Sequence, residues 1–61
     1  MVHVAVKGMT KLEATTKARL LLIDKSADEL AKEIGITRPT LYTRLAEHNW
    51  KLGEIALLKQ L

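Results

Sequence analysis

The side chains that could perform covalent or metal chemistry are few and scattered along this chain of 61 residues. There is no cysteine, and the two histidines, His3 and His48, have no third ligand at a metal-binding spacing. No nucleophile lies beside a base, and no glycine-rich phosphate loop or pair of pocket carboxylates is evident. We therefore expect no enzyme, no metal site and no cofactor.

The remaining chemistry belongs to charged side chains, and these are distributed unevenly. Ten Lys and Arg oppose seven Asp and Glu, which gives a net charge of +3. Acidic residues prevail within residues 24–34, whereas the segments before and after them are basic. A mild basic excess of this kind is consistent with a nucleic-acid partner without requiring one.

Length and composition limit the class of protein. Sixty-one residues make one domain at most, with a core small enough that oligomerisation is expected to matter. The apolar residues are mainly aliphatic and include no phenylalanine, which favours packed helices. The longest apolar run, residues 20–23, is too short to span a membrane. Residues 1–10 contain no apolar leader, so we expect a cytoplasmic protein.

Two capping boxes mark the starts of the first two helices. Thr10 with Glu13 predicts a helix from about Lys11 to Leu22, although its interior threonines are poor helix formers. Ser26 with Glu29 predicts a second helix. Its apolar positions recur at helical spacing, and a glycine follows them as a C-terminal stop; the residues are Ala27, Leu30, Ala31, Ile34 and Gly35.

Two further helices complete the predicted set of about four. Thr37 suits the N-cap of the third, although steric pressure from Pro39 makes Arg38 an alternative cap. We expect this helix to end near residues 47–49 and a fourth to cover about residues 52–61. Their expected apolar positions are Leu41 and Leu45, then Leu52, Ile55 and Leu58, with Leu57 and Leu61 beside them; Trp50 is expected to wedge between helices.

The fold class expected is therefore all-α, with a helix-turn-helix at about residues 26–46. Ala31 is small enough for a close helix crossing, Gly35 opens the turn and Ile36 fills the angle between the helices. Such a unit holds its second helix clear of the body, where it fits a DNA major groove about 12 Å wide. The function expected from the residues is double-stranded DNA binding.

The same stretch resembles a known family. Leu30-Ala31-x3-Gly35-Ile36-x4-Leu41 is similar to the helix-turn-helix signature of the Cro/repressor family of small phage and bacterial regulators. Residues 35–42 are also similar to recognition segments of resolvase-type, Fis-type and TetR-type proteins. Residues 50–55 are similar to the helix that follows in short phage-encoded members of the first group. The resemblance covers about residues 12–61, and it implies sequence-specific repression by occupancy of an operator.

The resemblance also implies which residues contact DNA. Arg38 suits guanine or a phosphate, the threonine hydroxyls suit phosphates or base edges, and the tyrosine suits a thymine methyl or a phosphate. The family has an apolar residue where this chain has Arg44, so we expect Leu45 to take over the packing and Arg44 to reach a phosphate. The implied DNA-binding residues are Thr37, Arg38, Pro39, Tyr42, Thr43 and Arg44.

Residues 2–6 alternate in the manner of a short strand, with Val2, Val4 and Val6 on one face. We therefore divide the chain into an arm, residues 1–9, and a DNA-binding domain, residues 10–61. A lone strand is unstable in water, which predicts pairing with the same strand of a second copy; the alternative is a frayed N-terminal arm on a monomer. Leu57 and Leu61 offer another surface for that homodimer. A two-fold dimer implies an operator that is an inverted repeat.

Two alternatives stay open. A ribbon-helix-helix protein also binds DNA, but reads it with the strand, here through His3, Ala5 and Lys7. A small phage-type inhibitor would instead use the helix-turn-helix scaffold to bind another protein. Neither alternative involves a membrane or a small-molecule ligand.

Overall fold

The computed structural model describes residues 9–61, which form four α-helices and contain no strand. The predicted all-α class is therefore confirmed for this part of the chain. The predicted strand at residues 2–6 lies outside the described residues. The helices are α1 (Lys11–Leu21), α2 (Ala27–Glu33), α3 (Arg38–Glu47) and α4 (Leu52–Gln60).

Both predicted capping boxes are present. The Thr10 hydroxyl accepts a hydrogen bond from the Glu13 backbone N–H at 3.1 Å, and the Glu13 carboxylate accepts from the Thr10 backbone N–H at 2.8 Å. Ser26 and Glu29 form the same reciprocal pair, with both distances 3.1 Å. Each box satisfies two backbone groups that have no partner within the helix, so α1 and α2 begin where the local sequence predicts.

The link between α2 and α3 also follows its local signals. Gly35 has φ +77°, a conformation that strains any residue with a Cβ, and the Ile36 N–H bonds back to the Ala31 carbonyl at 2.9 Å. The Thr37 hydroxyl then accepts from the Thr40 N–H at 3.3 Å. Thr37 is therefore the N-cap and Arg38 the first helical residue. The cap hydrogen bond outweighs the steric bias that Pro39 imposes on Arg38.

One apolar core joins the helices, with α1 packed against α3 and α4, and α2 packed against α3. The predicted α2 positions are buried, apart from Ala27, which is partly buried. Leu41, Leu45 and Trp50 are buried as expected. The core consists of Ala14, Ala18, Leu30, Ala31, Ile34, Leu41, Leu45, Trp50, Ile55 and Leu58.

One core prediction, that for Leu52, is wrong. Ile55 and Leu58 are buried, but Leu52 is 84% exposed. The buried side of α4 is formed by Glu54, Ile55 and Leu58 instead. Glu54 faces inward toward Arg44 of α3, and the buried side of α4 is therefore turned away from the side that the apolar spacing predicts.

Thr15 ties the loop after α3 to the middle of α1. The Trp50 indole Nε1–H donates to the Thr15 hydroxyl oxygen at 2.8 Å. The same oxygen lies 2.8 Å from His48 Nδ1, and His48 itself has a left-handed backbone with φ 58°. This hydrogen-bonded set fixes the approach of the chain to α4 and satisfies the buried indole N–H.

Candidate functional site

The outer side of α3 brings together five of the six predicted site residues. All five are exposed, and they lie in the N-cap and first two turns of α3. The opposite side of the helix is anchored in the core by Leu41 and Leu45. The spacing of the exposed positions therefore projects one continuous surface from the packed body. We call it the α3 surface: Thr37, Arg38, Pro39, Tyr42 and Thr43.

Arg38 supplies the charge of the α3 surface. Its guanidinium carbon lies 5.7 Å from the centre of the Tyr42 ring, within cation–π range, and its Nε lies 4.0 Å from an Asp28 carboxylate oxygen on α2. Tyr42 and, to a lesser degree, Asp28 raise the pKa of Arg38, so the side chain stays cationic. The side chain is 57% exposed, which leaves its donors open to an external acceptor.

Both threonine hydroxyls of the α3 surface already donate within the chain. Thr37 donates to the Thr40 hydroxyl at 2.9 Å, and Thr43 donates to the Pro39 carbonyl at 3.2 Å. A hydroxyl oxygen can accept two hydrogen bonds, so Thr37, which already accepts the Thr40 N–H, and Thr43 can each still accept from a ligand. Donation to a phosphate oxygen requires each hydroxyl to rotate and give up its internal bond. The loss of these internal hydrogen bonds is a cost of phosphate binding that the sequence alone does not predict.

Arg44, the sixth predicted residue, has a different partner from the one expected. Its Nε donates to one oxygen of Glu54 at 2.7 Å, and a terminal guanidinium nitrogen donates to the other oxygen at 3.1 Å. The two side chains are only 13% and 9% exposed. A bidentate pair at this burial joins α3 to α4, so the geometry gives no support to the expected phosphate contact. Leu45 packs in the core, as expected beside Arg44.

Glu54 is the residue that the sequence reasoning missed. Besides Arg44, its carboxylate accepts the Lys51 backbone N–H at 3.1 Å. Burial raises the pKa of Glu54, but the Arg44 guanidinium and the Lys51 N–H together lower it further than burial raises it, so the net pKa is below its ordinary value. A glutamate in the first turn of α4 was the available signal for capping, but nothing local indicates its bond to Arg44.

The charges around the α3 surface are mixed. Arg38 is the one exposed basic residue of α3, and the neighbouring α2 carries the acidic residues Asp28, Glu29 and Glu33 against one base, Lys32. Glu33 is paired with Lys25, which reduces the negative field at that end. The surface thus combines a cation with an aromatic ring, hydroxyls and a proline. It is suited to specific polar recognition more than to general attraction of polyanions.

Other kinds of site find no support among residues 9–61. No cavity and no cluster of potential metal ligands occurs in this part of the chain. Within the same residues, no helix has the length and apolar character needed to cross a membrane.

Comparisons of the chain with protein-family models, with curated proteins and with solved structures find no match.

Proposed function

We propose that this protein binds double-stranded DNA sequence-specifically, with α2 and α3 acting as a helix-turn-helix and α3 as the reading helix. One observation carries the proposal. The residues that the family resemblance assigns to DNA contact are all exposed on one side of α3, except Arg44, while the other side of that helix is buried. A helix anchored on one side and open on the other is the element that a major groove accepts.

Within this proposal Arg38 is the main reader. Its guanidinium fork matches the two acceptors on the edge of guanine, and the Tyr42 ring holds it at the surface. The Thr37 and Thr43 oxygens can accept from base amino groups, and Tyr42 offers an aromatic face to a thymine methyl. Arg44 is left out of the proposed contact set because Glu54 occupies its guanidinium.

The proposed biological role is repression of the phage type in the cytoplasm. A homodimer would place two reading helices about 34 Å apart, on an inverted-repeat operator, and so deny the site to polymerase or to a competing regulator. The ribbon-helix-helix alternative assigns reading to His3, Ala5 and Lys7, which lie outside the described residues.

A protein partner is the second candidate, and the charge pattern favours it. Arg38 is the one exposed cation of α3, and Asp28 lies beside it. DNA-binding surfaces usually present several phosphate-directed cations, because counterion release supplies much of the affinity. A surface of mixed charge with an exposed tyrosine also fits the anchors of protein interfaces.

A selection experiment separates the two candidates. Duplexes retained by the full chain from a random library are sequenced, and the affinity for the enriched duplex is measured by fluorescence anisotropy at rising salt. DNA binding predicts an enriched motif and an affinity that falls steeply with salt. Failure to enrich any duplex, or binding that salt does not weaken, contradicts the proposal and favours a protein partner.

A further inference from the structure

We propose that the outward face of α1 is a dimer interface, where a second copy of this chain packs antiparallel with Thr16 at the two-fold axis. This inference does not rest on DNA binding. Two leucines on this face are strongly exposed, Leu12 at 64% and Leu20 at 58%, although the other side of the same helix is buried against the core. Ile23, just after the helix, is 76% exposed and extends the apolar area.

The spacing of these residues places them on one stripe. Leu12, Thr16 and Leu20 follow one another at intervals of four residues, so they lie on the same side of α1. This side is separate from the buried positions Ala14 and Ala18. We call it the α1 stripe. Its leucines are more exposed than Leu57 on α4 and Leu61 just after that helix, which are 40% and 42% exposed.

Thr16, at the centre of the α1 stripe, can be buried in an interface at low cost because its hydroxyl is already hydrogen-bonded. Its hydroxyl donates to the Leu12 carbonyl at 3.2 Å, so its proton has a partner inside the helix. The side chain can therefore meet another surface through its methyl group without leaving an unpaired donor. This lowers the cost of removing a polar residue from water.

The sequence of the α1 stripe selects a second copy as its occupant. Leu12 and Leu20 are equally far from Thr16 in opposite directions, so reversing the helix superimposes one leucine on the other. A two-fold interface needs this property, because residue i must contact j while j contacts i. In such a pair, Leu12 meets Leu20 of the second copy and Thr16 meets itself.

Charge favours the antiparallel direction. Glu13 and Lys17 border the same edge of the α1 stripe. An antiparallel pair centred on Thr16 brings Glu13 alongside the Lys17 of the other copy, so that the two lysines at the centre of this edge are flanked by the two glutamates. A parallel pair in register would place the edge that bears Lys17 beside the opposite edge of the other copy, where Arg19 sets a like charge against it. Three exposed apolar side chains make a small patch beside the roughly 800 Å² per partner of a standard interface, so we expect a weak dimer.

Sedimentation of the full chain over a range of concentrations tests the proposal. The wild type should dimerise in the high-micromolar range, and Leu20→Glu should weaken the dimer at least about tenfold by placing a charge in the interface. Leu52→Glu is the matched control, since Leu52 is exposed on α4 and outside the α1 stripe. Circular dichroism checks that each variant remains helical. A wild type that stays monomeric, or a dimer that Leu20→Glu leaves intact, overturns the proposal.

A complementary pair tests the axis at Thr16. Thr16→Glu and Thr16→Lys should each be monomeric, because the two-fold places like charges face to face. An equimolar mixture should form a heterodimer in which the charges are opposite. If the mixture stays monomeric, or if either single variant dimerises like the wild type, the antiparallel arrangement centred on Thr16 is wrong.

Discussion

Arg38 and Arg44 belong to the same helix and have the same chemistry, yet they occupy opposite environments. Arg38 lies in the first turn of α3, is 57% exposed, and contacts the Tyr42 ring and, at 4.0 Å, the Asp28 carboxylate. Arg44, less than two turns later, is 13% exposed and makes two hydrogen bonds to one carboxylate. An arginine on the proposed reading helix is therefore available to a ligand, as Arg38 is, or bound within the fold, as Arg44 is, depending on whether another helix places a carboxylate against it.

A similar contrast occurs between neighbours in α1. Thr15 is 4% exposed and accepts the Trp50 indole N–H, whereas Thr16 faces solvent and bonds only to its own helix. Local propensity treats both threonines as weak helix formers. Only Thr15 also makes a tertiary hydrogen bond, with Trp50, which offsets its weak helix propensity.

Removing the partner of Arg44 should have the largest effect. Glu54→Ala leaves a buried guanidinium without its carboxylate, and we expect a loss of about 3–5 kcal/mol in the free energy of unfolding. In a chain this small, that loss approaches the whole stability. Urea denaturation followed by circular dichroism measures it. Glu47→Ala removes an exposed carboxylate from α3 and should change stability by less than about 0.5 kcal/mol.

A double variant sharpens this result. Arg44→Met combined with Glu54→Leu replaces the pair by apolar side chains, and it should recover most of the stability lost in Glu54→Ala. If Glu54→Ala is as stable as the wild type, the Arg44–Glu54 pair does not hold α4 on α3, and Arg44 returns as a candidate ligand contact.

We expect the next largest loss of stability at Thr15 of α1, with its neighbour Thr16 as the comparison. Thr15→Val keeps the shape of the side chain but removes the acceptor of the Trp50 N–H, and we expect it to cost about 1–3 kcal/mol. Thr16→Val is the matched control and should stay within about 0.5 kcal/mol of the wild type. Thermal unfolding, with Trp50 fluorescence as the probe, compares them. If Thr15→Val and Thr16→Val lose the same stability, the loss comes from helix propensity and not from the hydrogen bond to the Trp50 indole.

Replacing Arg38 should change DNA binding without changing the stability of the fold. Under the proposed function, Arg38→Ala should weaken binding to the selected duplex by about 1–3 kcal/mol and relax the preference at one base pair. Its melting temperature should stay close to that of the wild type, because the side chain is exposed. Lys59→Ala removes an equal charge from the exposed side of α4 and serves as the control. Equal weakening in both variants would indicate general charge attraction and remove Arg38 as a specific reader.

The smallest expected effect is a pH dependence of stability that arises from the Arg44–Glu54 ion pair. The pKa of Glu54 is lower in the folded chain than its ordinary value, so its ion pair contributes fully above the unfolded-state pKa, about 4.3 for glutamate. That contribution is lost as the pH falls through the lower, folded-state pKa. The free energy of unfolding, measured across the acidic pH range, should no longer show this pH-dependent contribution in the Glu54→Gln variant. A Glu54→Gln variant with the same acid dependence as the wild type would contradict the assignment.

Much of the helical framework was predictable because its signals lie within a few residues of one another. The capping boxes at Thr10 and Ser26, the stop at Gly35 and the α2 stripe ending at Ile34 all appear in the structure as predicted. Each depends on hydrogen bonds or side-chain spacing inside one turn or one helix. The exposure of the five residues of the α3 surface follows from the same helical periodicity.

The partners across helices were decided only by the tertiary structure. The exposure of Leu52, the pairing of Arg44 with Glu54 and the acceptance of the Trp50 N–H by Thr15 each join segments far apart in sequence. Apolar spacing predicted that Leu52 faces inward, but in the structure Glu54 occupies the buried side of α4 and pairs with Arg44, while Leu52 is exposed. The physical reason is that local patterns determine where a helix begins and ends and which side is apolar, whereas a buried polar group takes whatever partner the packed fold brings within hydrogen-bonding distance.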